Sequence, residues 1–245
     1  MGIHRAMFPS NYDEVAEEYY DDRHVTSRNF DAATAELFDT LAPAVPDSGY
    51  VLELGAGRGR TGEFCGVAPS RVVQSDVSGR MLRLVDREPS TGRVQCDATR
   101  LPFASERVAA VTAFLFDPYN DPSLFDEIAR VLEPGGVFVG TLPHPEWGHT
   151  LRRAVDLPQD ETVFVTESGE EVRLRSKLLS AADLRDQLTA TGLQPRILRS
   201  QSLPRDTDDV SEHVEIPAET LGVTPFDLPL VLGVIAGKPA IGADE

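Results

Sequence analysis

The stretch of sequence that decides the fold is Val51-Leu52-Glu53-Leu54-Gly55-Ala56-Gly57-Arg58-Gly59. Its first four residues form a short, mostly apolar run that predicts a buried strand, and the glycines that follow predict a loop. Three glycines on alternate positions remove the side chains that would keep a ligand away from the main chain, and they tolerate the positive φ angles of a tight turn. We therefore expect a site for a nucleotide-like ligand directly after this strand.

A dinucleotide site is an alternative interpretation of the same glycines. A Gly-x-Gly-x-x-Gly pattern runs from Gly57 to Gly62, and in dinucleotide-binding proteins the strand ends just before the first glycine of that pattern. Here the strand is expected to end before Gly55, which is too early for that register. The dinucleotide interpretation also leaves the acidic residue Glu53 without a role, so it is the weaker of the two.

The composition indicates one globular domain. A chain of 245 residues with 41% hydrophobic residues can bury one sizeable core, and no apolar run approaches the ~18–20 residues that span a bilayer. The start of the chain lacks the apolar segment of a secretory signal, so we expect a soluble cytoplasmic protein. The two cysteines, Cys65 and Cys96, are too few for a disulfide framework or a zinc site, and we expect no metal.

The net charge of −17 argues against nucleic acid as a partner. A protein that binds the phosphates of a nucleic acid needs a cluster of basic side chains, and the 23 basic residues form no such cluster among 40 acidic ones. We expect a small-molecule partner, no membrane and no nucleic acid. A homodimer stays open as an alternative to a monomer.

The remainder of the chain alternates predicted strands and helices, which is typical of an α/β fold. Asp76, near the end of a predicted strand, follows Gly55 by about twenty residues, the spacing at which a carboxylate reaches a bound ribose. Asp97 follows the next predicted strand and comes to the same sheet edge. Strands are predicted at 51–54, 72–77, 93–96, 108–116, 137–142, 196–199 and 229–236, helices near 81, over 122–132 and over 180–188, and a hairpin over 162–165 and 171–174.

Four motifs in this order resemble the signature of class I S-adenosylmethionine-dependent methyltransferases, and most closely the small-molecule branch that includes the quinone-biosynthesis enzymes. They are Glu53-Leu-Gly55-Ala-Gly57-Arg-Gly59, Asp76-Val-Ser78, Asp97-Ala98 followed by Leu101-Pro102-Phe103, and Arg130-Val-Leu-Glu-Pro-Gly135-Gly136. The opening Tyr12-Asp-x-x-Ala16-x-x-Tyr19 resembles the N-terminal helix of that branch, which closes over the cofactor. One departure is the start of the fourth strand, Val108-Ala109, where Phe-Asp is common in the family.

The resemblance implies a Rossmann-like three-layer sandwich around a seven-stranded, mostly parallel sheet whose last strand is antiparallel. It implies a single methyltransferase domain over residues 1–245. The segments of that domain are an N-terminal helical lid (1–45), the cofactor-binding core (46–142), a substrate-side insertion with the hairpin (143–179), and the C-terminal helix and strands (180–245).

The resemblance also assigns S-adenosyl-L-methionine as the cofactor, with S-adenosyl-L-homocysteine as its product. Gly55, Ala56 and Gly57 would pass beneath the methionine part of the cofactor. Glu53 would organise the ammonium group, and Asp76 would bind the ribose hydroxyls. The other assigned contacts are Val77 and Met81 beside the adenine, Asp97 and Ala98 at its polar edge, Phe114 near the methionine amino group, and Tyr12 and Tyr19 from the lid.

Methyl transfer from a sulfonium needs an aligned nucleophile and a site without water more than it needs a dedicated base. His144 follows the fifth predicted strand at the ligand-binding edge, and an imidazole that titrates near neutrality suits a general base. We therefore predict His144 as the first catalytic candidate and Tyr19 as the second, with Trp147 as a wall for the substrate. The segment 116–119 is interpreted as a loop, with a role in shaping the pocket as the less favoured alternative.

The predicted function is transfer of a methyl group to an oxygen, nitrogen or carbon atom of a small-molecule metabolite. The alternative is an enzyme that keeps the fold and the cofactor but catalyses a non-methylating reaction such as cyclisation or elimination. A third interpretation, a sensor or scaffold without activity, is the least favoured because the glycine loop is intact.

Overall fold

Strands and helices alternate along the chain, as the sequence predicts. The computed structural model describes residues 11–21, 23–84 and 92–240. Its strands are β1 (Val51–Leu54), β2 (Val72–Asp76), β3 (Gly92–Gln95), β4 (Val108–Phe114), β5 (Leu132–Pro143), β6 (Glu161–Val165), β7 (Glu171–Arg175), β8 (Gln194–Gln201) and β9 (Val231–Gly237). Its α-helices are α1 (Tyr12–Val15), α2 (Val25–Ala35), α3 (Phe38–Leu41), α4 (Thr61–Cys65), α5 (Met81–Leu84), α6 (Pro122–Val131), α7 (Pro145–Ala154), α8 (Ala181–Ala190) and α9 (Glu212–Leu221).

The main sheet contains seven strands in the order β3-β2-β1-β4-β5-β9-β8. Parallel pairing joins β3 to β2, β2 to β1, β1 to β4 and β4 to β5. The last strand along the chain, β9, runs antiparallel to both of its neighbours, β5 and β8. The predicted sheet is therefore confirmed. The predicted hairpin is present as well, formed by β6 and β7 with Thr162 opposite Leu174.

Apolar side chains cover both faces of the main sheet. Phe125 of α6 and Leu184 of α8 are fully buried in the core on one face. Phe30 of α2, Leu151 of α7 and Val214 of α9 belong to the core on the other face. Because helices cover both faces of one sheet, the fold has three layers, as the sequence analysis predicts.

β5 is longer than predicted, since it spans Leu132–Pro143 instead of 137–142. The helix before it ends at Val131, and the backbone of Leu132 is already extended, with φ −64° and ψ 133°. The motif Pro134-Gly135-Gly136, taken from the sequence as the end of the helix, therefore lies inside the strand. Gly135 has a φ of 83°, a conformation that glycine adopts without strain.

Two helices, α7 and α9, were not predicted from the sequence. α7 begins directly after β5, with His144 as its N-cap and Pro145 in its first turn, a position at which helices favour proline. α9 lies in the segment 203–227, which the sequence analysis leaves as a connection, and it contains Pro217 in its interior. Proline inside a helix removes one backbone hydrogen bond, which is why the pattern did not indicate a helix. The two helices pack against each other.

Parts of three predicted segments lie outside the described residues. These parts are residues 1–10 and 22 of the lid, residues 85–91 of the core, and residues 241–245 at the C-terminal end. The described part of the lid forms α1, α2 and α3. Among the helices that the structure describes, none is long and apolar enough to cross a membrane.

The Gly140→Ala variant is expected to unfold more easily than the native chain. A Cβ atom at Gly140, within β5, would lie 2.6 Å from the carbonyl oxygen of Ala113 and 3.1 Å from ring atoms of Phe116 and Phe138. Overpacking of this kind costs about 1–3 kcal/mol, which urea denaturation would show as a lower midpoint at an unchanged m-value. Gly92→Ala is the matched control in a strand, because an added Cβ there meets no atom within 4 Å. Equal losses in the two variants would contradict the packing of β5.

Candidate functional site

A cavity of about 780 Å³ lies at the carboxyl ends of the central strands, the edge at which open α/β sheets bind ligands. All the residues predicted to contact a cofactor line this cavity, and their role in binding stays a prediction. They are Tyr12, Tyr19, Glu53, Gly55, Ala56, Gly57, Asp76, Val77, Met81, Asp97, Ala98 and Phe114.

Glu53 of β1 holds the end of the glycine loop. Its side chain is 2% exposed, and its Oε1 atom accepts hydrogen bonds from the backbone N–H groups of Arg60 (2.6 Å) and Thr61 (2.9 Å). The side-chain amide of Gln74 donates to Oε2 at 3.4 Å. Burial raises the pKa of Glu53, and these hydrogen bonds oppose the rise. The carboxyl group therefore fixes the start of α4 relative to β1.

Asp76, the last residue of β2, is bonded to the same loop. Its Oδ2 atom accepts from the backbone N–H of Gly57 at 3.0 Å, and Oδ1 accepts from that of Ser78 at 2.8 Å. Burial raises the pKa of Asp76, and both hydrogen bonds oppose this change. The carboxyl group thus connects the glycine loop to the end of β2 in the wall of the cavity.

The main chain at Gly55 and Gly57 is bare on the cavity side. Their φ angles are 58° and 50°, in the left-handed region that glycine adopts most readily. A Cβ at Gly55 would collide with the hydroxyl of Tyr119, and a Cβ at Gly57 would collide with the hydroxyl of Tyr20. Tyr119 also donates to the carbonyl oxygen of Leu54 at 3.1 Å. The two glycines permit an approach to the backbone that any side chain would block.

Asp97 and Ala98 follow β3 and reach the same cavity. The Oδ1 atom of Asp97 accepts from the backbone N–H of Thr99 at 2.8 Å and from its hydroxyl at 2.7 Å. This local turn fixes the orientation of the carboxyl group. Because β2 and β3 are parallel neighbours, Asp76 and Asp97 come to one edge of the sheet, as the sequence analysis expects.

The lid segment packs over one side of the cavity. Asp13 of α1 accepts from the hydroxyl of Ser78 at 2.6 Å and from the backbone N–H of Arg80 at 3.2 Å. Tyr19 stacks on Phe164 of the hairpin, with ring centroids 5.8 Å apart and planes at 15°. Burial raises the pKa of Tyr19 far above its usual value. Its hydroxyl is therefore neutral at physiological pH.

A second polar group in the cavity is formed by Asp117, Arg152 and Ser176, which come from the turn after β4, from α7 and from the residue after β7. Nη2 of Arg152 donates to the hydroxyl of Ser176 at 2.6 Å, and Nη1 donates to the carbonyl oxygen of Gln159. Burial raises the pKa of Asp117 to about 6, while the hydrogen bond from Ser176 and the charge of Arg152 lower it.

His144 does not line the cavity. Its Nδ1 atom accepts from the backbone N–H of Glu146 at 3.3 Å as the cap of α7, and its Nε2 atom lies 3.1 Å from the hydroxyl oxygen of Ser200. Burial lowers the pKa of His144. Both ring nitrogens thus have partners within the protein. Trp147, by contrast, does line the cavity, and its indole N–H donates to the carbonyl oxygen of His213 at 2.8 Å.

Several residues of the cavity were not assigned a role from the sequence. Tyr20, Arg152 and Ser176 line it. Residues 117–119 line it as well, and they belong to the segment 116–119 that was interpreted from the sequence as a loop. Arg152 and Ser176 carried no signal in the sequence, because one arginine in an amphipathic helix and one serine after a strand form no pattern.

Residues 51–136, from β1 into β5, match the family described as a methyltransferase domain. This part of the chain is similar to a methyltransferase domain. The chain is 34% identical over 141 residues to demethylmenaquinone methyltransferase of Renibacterium salmoninarum, a match that covers 56% of this chain and 59% of that protein. The chain thus spans less than two thirds of the length of the curated relatives it matches.

Solved structures of methyltransferases share the fold of this chain. One is a methyltransferase of Haloferax volcanii in complex with the Trm112 methyltransferase activator, with a TM-score of 0.66, 20% identity, and coverage of 94% of this chain and 99% of that one. Another is geranyl diphosphate C-methyltransferase of Streptomyces coelicolor, bound to S-adenosyl-L-homocysteine, with a TM-score of 0.59, 16% identity, and coverage of 85% and 79%. At these identities the likeness concerns the fold alone.

The Asp117→Asn variant is expected to be more stable than the native chain at about pH 8. Asp117 has a pKa of about 6 in the folded chain against an ordinary value of 3.8, so the folded protein binds a proton between these values that the unfolded chain has released. Ionisation of Asp117 therefore lowers the free energy of unfolding as the pH rises from about 4 to about 6. The total decrease is about 3 kcal/mol. Arg152 opposes this shift by its charge, while Tyr12, Tyr19 and Tyr119 are the other titratable groups that interact with Asp117.

Urea denaturation at several pH values measures this difference. Asparagine keeps an acceptor for Ser176 but carries no charge, so the gain is expected to be about 1–3 kcal/mol at about pH 8 and to vanish near pH 4. Asp126→Asn, at an exposed position of α6, is the control. A native chain and an Asp117→Asn variant with the same pH dependence would contradict the raised pKa.

Proposed function

We propose that the chain is an S-adenosylmethionine-dependent methyltransferase that acts on an oxygen, nitrogen or carbon atom of a small molecule. The observation that carries this proposal is the convergence of the bare glycine loop with Asp76 and Asp97 in one cavity. The methyltransferase domain at residues 51–136 supports it. So do the likeness to a demethylmenaquinone methyltransferase and the fold shared with a C-methyltransferase that binds S-adenosyl-L-homocysteine.

The residues of the cavity fit this cofactor. The backbone at Gly55 and Gly57 forms a cradle that a Cβ would fill, so the amino-acid part of the cofactor can approach the main chain. Carboxyl groups at the ends of β2 and β3 suit the hydroxyl and amino donors of a nucleoside. They also suit a positively charged sulfonium and would repel a pyrophosphate, which weighs against the dinucleotide alternative.

When bound, the cofactor supplies an electrophilic methyl group on a sulfonium. The share of the protein is to align the acceptor and to exclude water. Tyr12, Tyr19, Phe164 and Trp147 offer aromatic surfaces for both tasks. The neutral Tyr19 hydroxyl suits a hydrogen-bond donor better than a base. The role of His144 as a base is the weaker proposal, because its ring nitrogens are engaged outside the cavity lining.

Incubation with a methyl-labelled cofactor and a panel of small oxygen, nitrogen and carbon acceptors tests the reaction. We expect a product heavier by one methyl group, about 14 mass units. A product of unchanged acceptor mass would favour the non-methylating alternative. Failure of the chain to bind either the cofactor or S-adenosyl-L-homocysteine would contradict the proposal as a whole.

The Asp76→Ala variant is expected to bind S-adenosyl-L-homocysteine more weakly by about 1–3 kcal/mol, the range for loss of one partner of a charged hydrogen bond. The physical reason is the loss of the carboxylate that would accept from the ribose hydroxyls. Calorimetry measures the change, and Asp186→Ala at an exposed position of α8 is the control. Unchanged affinity in a folded Asp76→Ala variant would remove this role from Asp76.

A further inference from the structure

Asp117, Ser176 and Arg152 form a polar group that is buried in the protein. The exposed fractions of the three residues are 9%, 3% and 3%. They come from three separate elements, and all three line the cavity that also contains Asp76. Buried polar side chains cost free energy unless they are hydrogen-bonded, so the hydrogen bonds within this group decide which of its members can bind a ligand.

Arg152 and Asp117 both already make hydrogen bonds within the protein. The guanidinium of Arg152 donates to the hydroxyl of Ser176 and to the carbonyl oxygen of Gln159. Ser176 in turn donates to the carboxylate of Asp117, whose other hydrogen bond is with its own backbone. An ionised carboxylate can accept about four hydrogen bonds. Asp117 therefore keeps capacity for a donor from a ligand, whereas both terminal nitrogens of Arg152 already donate to groups of the protein.

The turn that carries Asp117 is itself held in place. The backbone N–H of Lys177 donates to the carbonyl oxygen of Asp117 at 2.9 Å, which joins the turn to the residue after Ser176. Tyr119, in the same turn, donates to the carbonyl oxygen of Leu54 at the start of the glycine loop. The position of the Asp117 carboxylate is thereby fixed relative to both the hairpin and the loop.

Three tyrosines of the cavity connect the two carboxyl groups electrostatically. Tyr12, Tyr19 and Tyr119 are half-buried, and each interacts electrostatically with both Asp76 and Asp117. If Asp76 binds the cofactor, as proposed above, Asp117 is a further buried carboxyl group of the same cavity that can meet the methyl acceptor.

We propose that Asp117 binds the N–H or O–H group of a protic methyl acceptor and receives its proton, with Ser176 and Arg152 as positioning residues. In the step, the acceptor atom forms a bond to the methyl carbon while the sulfur–methyl bond breaks and its electron pair returns to sulfur. The N–H or O–H proton passes to the carboxylate of Asp117. The acceptor class is then an amine or a hydroxyl compound, and an anionic acceptor is disfavoured. This inference rests on the proposed function.

Calorimetry with three ring-matched probes tests the proposal on the full chain loaded with S-adenosyl-L-homocysteine. The probes are benzylamine, benzyl alcohol and benzoate. At about pH 7.5 we expect at least one of the two protic probes to bind about tenfold more tightly than benzoate, because a carboxylate attracts a donor and repels an anion. Tighter binding of benzylamine would assign an amine acceptor, and tighter binding of benzyl alcohol a hydroxyl acceptor. Preferred binding of benzoate, or binding of none of the three, overturns the proposal.

Substitutions at Asp117 and Ser176 test whether these residues cause the preference for a protic probe. In Asp117→Asn the preference for the protic probe should be lost, while the affinity for S-adenosyl-L-homocysteine and the folded state are kept. Asp126→Asn should behave as the native chain. In the native chain the affinity for the protic probe should fall below about pH 6, where Asp117 becomes protonated. Ser176→Ala removes a hydrogen bond that lowers the pKa of Asp117, so this fall should move to higher pH. A merely structural serine would not produce that movement.

The outcomes separate this inference from the proposed function. Absence of S-adenosyl-L-homocysteine binding would contradict the proposed function. Normal binding of S-adenosyl-L-homocysteine together with unchanged probe affinity in Asp117→Asn would overturn the role of Asp117 alone. Loss of the pH dependence in a His144→Gln variant would assign the proton to His144 and would likewise overturn the role of Asp117.

Discussion

The buried carboxyl group of Glu53 is the constraint on which the rest of the site depends. It accepts from the backbone N–H groups of Arg60 and Thr61, and so it fixes where the glycine loop ends and where α4 begins. With that loop in place, Gly57 can donate to Asp76 and Gly55 can lie against Tyr119. Burying a carboxyl group is costly unless it is hydrogen-bonded, and here the hydrogen bonds shape the loop. From the sequence, Glu53 is expected to organise the ammonium group of the cofactor through the loop or a water, and in the structure it contacts the end of the loop.

The cavity is lined by two groups of polar residues and by several aromatic side chains. The bare glycine backbone with Asp76 and Asp97 forms one group, and Asp117 with Arg152 forms the other. This division matches the two tasks of a methyl transfer, which are to hold the donor and to orient the acceptor. The raised pKa of Asp117 reflects the free energy that it costs to bury its ionised carboxyl group. Enzymes commonly keep such a destabilising group where activity requires it.

The sequence was sufficient for the sheet and for the part of the cavity at the glycine loop, because both follow from local patterns. The apolar run before Gly55, Asp76 at the end of β2 and Asp97 after β3 mark strand ends, and parallel strands bring their ends together. The sequence was insufficient where the outcome depends on contacts distant in the chain. His144 follows β5 as predicted, yet its ring caps α7 and meets Ser200. Arg152 and Ser176 approach Asp117 only because α7 and the hairpin fold back over the sheet.

A crystal structure of the chain with S-adenosyl-L-homocysteine tests the central claim most directly. The account predicts ribose hydroxyls within hydrogen-bond distance of the Asp76 carboxylate and the amino-acid part of the ligand against the backbone of Gly55 and Gly57. It also predicts that the sulfur faces the part of the cavity that contains Asp117. A ligand bound elsewhere, or one whose sulfur points away from Asp117, would contradict the account.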